Sequence, residues 1–207
     1  MNDHLNWRYT TKKFDPAKKI SESEFESLLE VLWLAPSSYG LQPWKFVVVR
    51  DVPLRNRIKI HAHGQAQVMD ASHLIVFCVL RSMDVEYIGR YITRMAEIRG
   101  IDRKLLEGYE RSMQGFLKSQ TPQEMSQWMK RQVYIPLGIL LAECARRKID
   151  ACPMEGFDIS GVDRDLGLEE EGVTALALCA VGYRAADDRF AGLKKVRFEI
   201  KELFIDR

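Results

Sequence analysis

The chain has little of what marks an exported or membrane-bound protein. Its two longest apolar runs, residues 74–80 (LIVFCVL) and 175–181 (ALALCAV), are far too short to cross a bilayer. The opening residues MNDHLNWRY lack the apolar core of a secretory signal. We therefore expect a cytoplasmic protein with no membrane partner.

An excess of charge of either sign is also absent. Lysine and arginine number 31 and aspartate and glutamate 29, which gives a formal net charge of +2. This balance does not indicate a nucleic-acid partner. The 207 residues contain no internal repeats, low-complexity tracts or linkers, and the length predicts a single domain spanning residues 1–207.

Closely spaced metal ligands and C-x-x-C cysteine pairs are missing. The four cysteines contain no C-x-x-C pair, and Cys78 and Cys179 lie within apolar runs, which favours reduced thiols in an intracellular protein. His61 and His63 are two residues apart and would not face the same side of a helix. We therefore predict no metal site and expect both histidines to face solvent or cap a helix.

The common nucleotide and catalytic motifs are absent as well. The chain has no G-x-x-x-x-G-K-[ST] loop, no G-x-G-x-x-G after a strand and no G-x-S-x-G elbow. Asp163 and Asp165 flank a short helix, and we expect them to cap it or to remain solvated.

Hydrophobic periodicity predicts helices and strands mixed along the chain. Ser21 and Glu24 form a capping box ahead of apolar residues at helical spacing, and Pro36 ends that helix. Few strands among many helices indicate an α+β or α/β sandwich with a sheet wrapped by helices. The predicted helical segments are 22–35, 54–62, 65–70, 84–118, 122–147 and 158–167, and the predicted strands are 44–49, 73–80, 149–157 and 172–184.

The longest helix has an unusual second half. Thr121 and Glu124 form its capping box, with Pro122 at the first helical position. Residues 135–145 are apolar nearly all round, which is typical of a helix buried in a core or in a subunit interface. Pro136 lies within this half and is expected to kink the helix.

Three segments have the composition of a site for an anionic, planar ligand. Residues 7–14 (WRYTTKKF) combine cations, hydroxyls and aromatic rings, and phosphate binds such donors well. A basic, solvated N-terminal helix is the alternative for this segment. Residues 36–43 (PSSYGLQP) add hydroxyls and an amide, and residues 152–158 (CPMEGFD) form a turn whose backbone N–H groups precede a helix.

These motifs occur in an order that resembles one family. They are RYTTKKF, APSSYGLQPWKFVV, MDASHLIVFC, QWMKRQVY, PMEGF and KKVR, and together they cover nearly the whole chain. The chain resembles the flavin-dependent nitroreductase family, of the oxygen-insensitive NAD(P)H nitroreductase and dihydropteridine reductase type. The resemblance implies an α+β, three-layer sandwich with a central, mostly antiparallel sheet wrapped by helices. It also implies an obligate homodimer with two FMN sites, each built from both subunits.

The resemblance further implies a set of flavin-contacting residues. Arg8 would meet the phosphate together with residues of the tail, and Lys12 would lie near the pyrimidine edge of the flavin and act in catalysis. Residues 36–38 would come from the partner subunit, and the backbone N–H of Glu155 would point at flavin N5. The implied cofactor-binding residues are Arg8, Tyr9, Thr10, Lys12, Pro36, Ser37, Ser38, Gln132, Pro153, Met154, Glu155, Gly156, Lys195 and Arg197.

The activity implied is a two-electron ping-pong reaction. NADH or NADPH would pass a hydride to FMN, and a small-molecule acceptor such as a nitroaromatic or a quinone would then be reduced. Two alternatives remain at this point: a flavin-binding or flavin-sequestering protein with low turnover, and a different flavin reductase on the same scaffold.

The chain departs from the family pattern near the expected substrate pocket, which we assign to Tyr39, Gly40 and Gln67. Gly64 occupies the position of a family asparagine that hydrogen-bonds the flavin, and either Gln65 or Gln67 could replace that contact. Gln67 also replaces a lysine that helps to bind the nicotinamide cofactor. Gly40 and Leu41 replace more polar residues, so a more apolar pocket with Tyr39 at its mouth is expected.

Overall fold

The computed structural model describes residues 3–207, and in this part of the chain one four-stranded sheet is surrounded by helices. Neighbouring strands are all antiparallel, which confirms the expected sheet. Their spatial order is β1-β2-β4-β3. The strands are β1 (Trp44–Val49), β2 (His73–Leu80), β3 (Asp150–Met154) and β4 (Val173–Gly182).

The helices of the described residues follow the predicted segments closely. The segment 84–118 contains two helices joined by a 3₁₀ turn at Arg103–Leu106, and a second 3₁₀ turn, Ser38–Gly40, precedes β1. The α-helices are α1 (Asp3–Trp7), α2 (Glu22–Trp33), α3 (Val52–His61), α4 (Gln67–Asp70), α5 (Val85–Arg99), α6 (Glu107–Ser119), α7 (Pro122–Arg146), α8 (Ile159–Leu166) and α9 (Ile200–Leu203).

The two predicted capping boxes differ in the structure. Thr121 and Glu124 form the complete reciprocal box at the start of α7. At α2, the Ser21 hydroxyl accepts from the Glu24 N–H at 3.3 Å, while the Glu24 carboxylate accepts from the Tyr183 hydroxyl at 3.4 Å. This helix ends at Trp33, two residues before the predicted end, because a residue that precedes a proline disfavours helical geometry.

The sheet separates two hydrophobic cores, and this division makes the three-layer arrangement. One core lies between the sheet and α2, α5, α6 and α7, and its fully buried members include Phe25, Leu28 and Met129. The other lies between the opposite face and α3, α4 and α8, with Ile58 and Val162 fully buried. Both faces of the sheet are covered, which explains the continuous apolar character of β2.

Helix α7 runs without a break through Pro136, which is buried. Its apolar second half is divided between two environments. Leu137, Leu140 and Cys144 pack into the core, whereas Ile135 and the preceding Tyr134 remain 38% and 39% exposed. An apolar helix face that the chain leaves uncovered is typical of a subunit interface.

The expectations for the polar residues of α8 and α3 are wrong. Asp163 is buried and accepts hydrogen bonds from the Arg81 guanidinium, the Thr174 hydroxyl and the Ala175 N–H at 2.9, 2.6 and 2.7 Å. His61 is largely buried, and its Nε2 lies 3.0 Å from an Asp165 carboxylate oxygen. These side chains connect separate elements instead of capping their own helices or facing solvent.

Three further observations concern residues 3–207. The four cysteines are buried and free. No three histidine, cysteine, aspartate or glutamate side chains come together as a metal-ion site in this part of the chain. Within the same residues, no helix combines the length and the apolar character needed to span a membrane.

Candidate functional site

A basic cavity lies where the N-terminal motif meets the C-terminal tail. Its volume is about 370 Å³, and no acidic residue is among the described residues that line it. Five cations do line it, and none of them forms an ion pair within residues 3–207. We call this site the basic cavity; its lining residues are Asn6, Trp7, Arg8, Tyr9, Thr10, Lys12, Phe190, Ala191, Leu193, Lys194, Lys195, Val196 and Arg197.

The cations of the basic cavity are close enough to affect one another. The Lys195 ammonium donates a hydrogen bond to the Arg8 carbonyl. Partial burial and the charges of Arg8 and Arg197 together lower the pKa of Lys195. Crowded like charges without a counter-ion favour the binding of an anion.

Two buried aspartates, Asp150 and Asp188, accept hydrogen bonds from residues 9–13. Asp150 accepts from the Thr11 hydroxyl at 3.2 Å and forms an ion pair with Arg184 at 2.6 Å. The Arg184 guanidinium lies over the rings of Trp7 and Tyr9, 4.1 and 4.5 Å from their centroids. The rings and backbone are therefore fixed by this network.

The second aspartate, Asp188, follows β4. Its Oδ2 accepts from the Tyr9 hydroxyl at 2.8 Å and from the N–H groups of Lys12 and Lys13 at 2.9 and 3.1 Å. Its Oδ1 accepts from the Phe190 N–H at 3.0 Å. Burial and the hydrogen bond to Asp188 raise the pKa of Tyr9, so this hydroxyl stays protonated and remains a donor.

Residues 153–158 form what we call the Glu155 loop, which lies beside the N-terminal motif. Thr10 pairs with Ala151 in a parallel β-bridge, just before this loop begins. Burial raises the pKa of the Cys152 thiol and the positive charge of Lys12 opposes this shift, so Lys12 lies near the end of β3. The structure therefore brings Arg8, Tyr9, Thr10, Lys12, Lys195, Arg197 and the residues Pro153, Met154, Glu155 and Gly156 into one neighbourhood.

Two contacts fix the Glu155 loop to the α3–α4 corner. The Gln65 amide donates to the Gly156 carbonyl at 3.1 Å, and the Asp158 N–H donates to the His61 carbonyl at 2.9 Å. Gln65 thus holds the loop backbone, while Gln67 is buried and its side chain contacts the Cys152 thiol. Gly64 is exposed and has a positive φ of 75°.

Residues 36–42 form what we call the Ser38 loop, which is attached to the other side of the molecule. The Ser38 N–H donates to the Gln132 side-chain oxygen at 2.8 Å, and the Gln42 N–H donates to the Ser37 hydroxyl at 2.8 Å. Tyr39 and Gln42 adopt positive φ values of 58° and 45°, which non-glycine residues rarely do. Such strain persists only where surrounding contacts stabilise it.

Those contacts come from tyrosines of α5 and α6. The Tyr109 hydroxyl donates to the Tyr39 carbonyl at 3.1 Å, and the Tyr87 hydroxyl lies 2.9 Å from the Leu41 carbonyl. Gly40 has a φ of 75°, and a Cβ at this position would overlap the Tyr91 hydroxyl. Region 84–118 thus shapes the Ser38 loop directly.

The two loops contact opposite faces of α7. Gln132 is buried against Ser38, whereas Tyr134 reaches the Glu155 carboxylate, and burial together with this hydrogen bond raises the pKa of Tyr134 to about 12. Residues two apart on a helix point about 200° away from each other, at about 100° per residue. Within one chain, Pro36, Ser37, Ser38, Tyr39, Gly40 and Gln132 therefore lie apart from the basic cavity and the Glu155 loop.

Comparison with known proteins gives a consistent result. The nitroreductase family model matches residues 5–183. YfkO of Bacillus subtilis, provisionally named an NAD(P)H nitroreductase, is 36% identical over 198 residues, which covers 90% of each chain. The oxygen-insensitive NAD(P)H nitroreductase of Salmonella typhimurium is 33% identical over 202 residues, covering 94% of this chain and 93% of that protein.

The fold comparison agrees with the sequence comparison. A protein of Exiguobacterium sibiricum, solved in complex with FMN, superposes with a TM-score of 0.83 at 22% identity, covering 99% of this chain and 96% of that one. This chain thus shares its overall fold with that structure. The chain belongs to the nitroreductase family.

Proposed function

We propose that the chain is an FMN-dependent NAD(P)H oxidoreductase that reduces nitroaromatics, quinones or related acceptors by a two-electron ping-pong mechanism. The observation that carries the proposal is the basic cavity, where five cations that form no ion pair with any residue of 3–207 surround a space suited to a phosphate. The names of two relatives that are 36% and 33% identical support the use of NAD(P)H. The FMN complex of a structural neighbour supports the choice of flavin.

The donors of the basic cavity fit the phosphate end of FMN. The guanidinium groups of Arg8 and Arg197 can each donate two parallel hydrogen bonds to phosphate oxygens. Lys195 adds a point charge, and the Thr10 hydroxyl adds a neutral donor. Because these cations have no carboxylate partner within residues 3–207, a bound phosphate would not have to displace an existing ion pair.

Lys12 and the residues of the Glu155 loop fit the ring end of FMN. FMN would supply the redox chemistry by carrying two electrons from NAD(P)H to the acceptor. Lys12 would place positive charge where the reduced ring is anionic, and Glu155 would offer its backbone N–H to flavin N5. Pro153, Met154 and Gly156 would form the wall against one face of the ring.

We further propose that the site is completed by a second copy of the chain. Exposed apolar side chains occur at the C-terminal end of α2 and on α7, where Trp33, Leu34 and Ile135 face solvent in one chain. Apolar surface of this kind is common in obligate interfaces, which bury roughly 2,000–5,000 Å². Because the Ser38 loop and the Glu155 loop lie on opposite sides of α7, one flavin could contact both only if the Ser38 loop belonged to a partner.

The acceptor would then bind between two kinds of surface. Tyr39 and Gly40 would approach from the partner's Ser38 loop, and Tyr39 already packs against Phe116 with ring centroids 5.4 Å apart. Gln67 would contribute from beneath the Glu155 loop, beside Cys152. An aromatic, largely apolar wall suits a planar acceptor.

The visible spectrum of the purified protein tests the proposal. We expect a yellow protein whose flavin bands bleach under anaerobic NADH or NADPH and return when a nitroaromatic or a quinone is added. Bands that do not bleach with either donor would favour a flavin-sequestering protein of low turnover. A colourless protein that takes up no added FMN would exclude the assignment.

A further inference from the structure

Asp188 is a buried carboxylate that binds two segments from opposite ends of the chain. Its residue surface is 6% exposed. One oxygen accepts from Tyr9, Lys12 and Lys13, and the other accepts from Phe190. Residues 8–12 and 190–197 are the two walls of the basic cavity, so a single side chain fixes the spacing between them.

The position of Asp188 is unusual for an anion site, because a carboxylate near a bound phosphate repels it. Burial acts to raise the pKa of Asp188, but the donors from Phe190, Tyr9, Lys13 and Lys12 outweigh burial and leave the pKa below its ordinary value. The group is therefore a carboxylate at neutral pH. Its charge opposes anion binding, while its hydrogen bonds organise the residues that carry the cations.

We propose that Asp188 is the positioning residue of the phosphate subsite: it holds the N-terminal wall against the tail wall so that Arg8, Lys195 and Arg197 converge. The inference rests on the proposed function, since it assigns the ligand of the basic cavity to the phosphate of FMN. Asp188 does not line the basic cavity and would act through the Tyr9 hydroxyl and the backbone N–H groups of Lys12 and Lys13.

For the substitution Asp188→Asn, the proposal and simple electrostatics predict opposite changes in FMN affinity. Asp188→Asn removes a negative charge, which by itself would strengthen the binding of an anion. It also replaces one accepting oxygen with an NH₂ group that faces existing N–H donors, because both oxygens accept in the native chain. If positioning dominates, the walls separate and FMN binds more weakly.

Asp163→Asn is the matched control. Asp163 is also buried, at 9% exposure, and it accepts from three donors where Asp188 accepts from four, but it lies in α8 and none of its three donors lines the basic cavity. Asp188→Asn and Asp163→Asn therefore disrupt similar buried hydrogen-bond networks in different parts of the fold. Asp188→Glu supplements them, because it keeps the charge and moves the carboxylate by one methylene.

The experiment measures the dissociation constants of FMN and riboflavin with the apo forms of the wild type, D188N, D188E and D163N. Riboflavin lacks the phosphate, so the ratio of the two constants isolates the phosphate subsite. We expect D188N and D188E to lower the preference for FMN over riboflavin by about tenfold, the size of one lost charge-assisted contact. We expect D163N to leave this preference unchanged, even if it lowers the melting temperature as much.

Two results would overturn the inference. One is an FMN preference in D188N and D188E equal to or greater than that of the wild type, which would show that the hydrogen bonds of Asp188 do not set the phosphate preference. The other is an equal loss in D163N, which would show a general effect of stability. Failure of the proposed function has a different signature, since the wild type itself would then bind no FMN.

Discussion

The basic cavity and the Ser38 loop are two parts of the proposed flavin site that are stabilised in different ways. The basic cavity is lined within one chain, and the Thr11 hydroxyl and the Lys12 and Lys13 N–H groups beside it donate to buried carboxylates. The Ser38 loop has two residues with positive φ, and tyrosine hydroxyls and one glutamine hold it. In the proposed site, the phosphate end would thus be preformed in a single chain, whereas the partner's contribution to the ring end would depend on the strained Ser38 loop.

The largest expected effect comes from separating these parts altogether. Ile135→Lys places a charge on the exposed apolar face of α7, where we propose the dimer interface. We expect monomers in sedimentation velocity and an FMN affinity lower by at least about 100-fold, since a charge buried at an interface without a partner costs several kcal/mol.

Ile60→Lys is the control for this experiment. Ile60 is 70% exposed on α3, which lies on the other side of the sheet. We expect this variant to remain dimeric and to bind FMN normally. A monomeric Ile135→Lys that still binds FMN as tightly as the wild type would contradict a shared site.

The second prediction addresses the anion end alone. Arg197→Ala removes a charge-assisted contact worth roughly 1.5–3 kcal/mol, so we expect FMN affinity to fall by about 10- to 150-fold. Riboflavin affinity is expected to change little, because the ring end remains intact. Lys201→Ala in the same tail is the control, since Lys201 pairs with Glu199 outside the cavity. An unchanged FMN titration for Arg197→Ala would show that the phosphate lies elsewhere.

A third prediction addresses the Ser38 loop alone. Gly40→Ala introduces a Cβ that overlaps the Tyr91 hydroxyl, at a backbone position with a φ of 75°. We expect a melting temperature several degrees lower and equal, about fivefold losses in FMN and riboflavin affinity, given the 1–3 kcal/mol that is typical of such strain.

Gly64→Ala separates backbone strain from steric overlap. Gly64 has the same φ of 75°, but no atom lies within 4 Å of the added Cβ. We expect it to lower the melting temperature without a change in flavin affinity. If Gly40→Ala selectively weakened FMN while riboflavin binding was unchanged, the division of the site into two ends would be wrong.

The smallest effect is expected for the Glu155 side chain, because the proposed contact to the flavin uses the backbone N–H of this residue. Glu155→Gln should retain NADH oxidation within about threefold of the wild type, because the backbone N–H is the proposed donor and the amide can still bond Tyr134. Glu155→Pro removes that N–H and should reduce the rate far more. Stopped-flow flavin reduction in both variants distinguishes the side chain from the backbone. Loss of hydride transfer in Glu155→Gln with FMN still bound would assign the role to the carboxylate.

The elements that the sequence predicts well are those set by local interactions. The Thr121 capping box and the apolar periodicity after it predicted α7 to within one residue of its observed end. The continuous apolar runs predicted β2 and β4, because buried strands need no polar face. The single-domain organisation stays a prediction.

The parts that sequence reasoning missed depend on partners far away in the chain. Asp188 bonds residues 175 and 176 positions earlier, and Asp163 bonds Arg81, 82 positions earlier. No local pattern distinguishes such aspartates from solvated ones, so the expectation for Asp163 was wrong and Asp188 was overlooked. The separate location of Tyr134 could have been predicted, since its spacing of two residues from Gln132 on helix α7 places the two side chains on nearly opposite faces.

The walls of the basic cavity come from the first and the last parts of the chain, and this order has a consequence for synthesis. A nascent polypeptide on the ribosome has the Arg8 wall early but has no tail wall until residue 197 has been translated. Contacts of such large sequence separation also form late in folding, because the intervening loop must close first. If the basic cavity holds the phosphate of FMN, as proposed, cofactor binding would therefore be a late event that requires synthesis to have passed the tail motif.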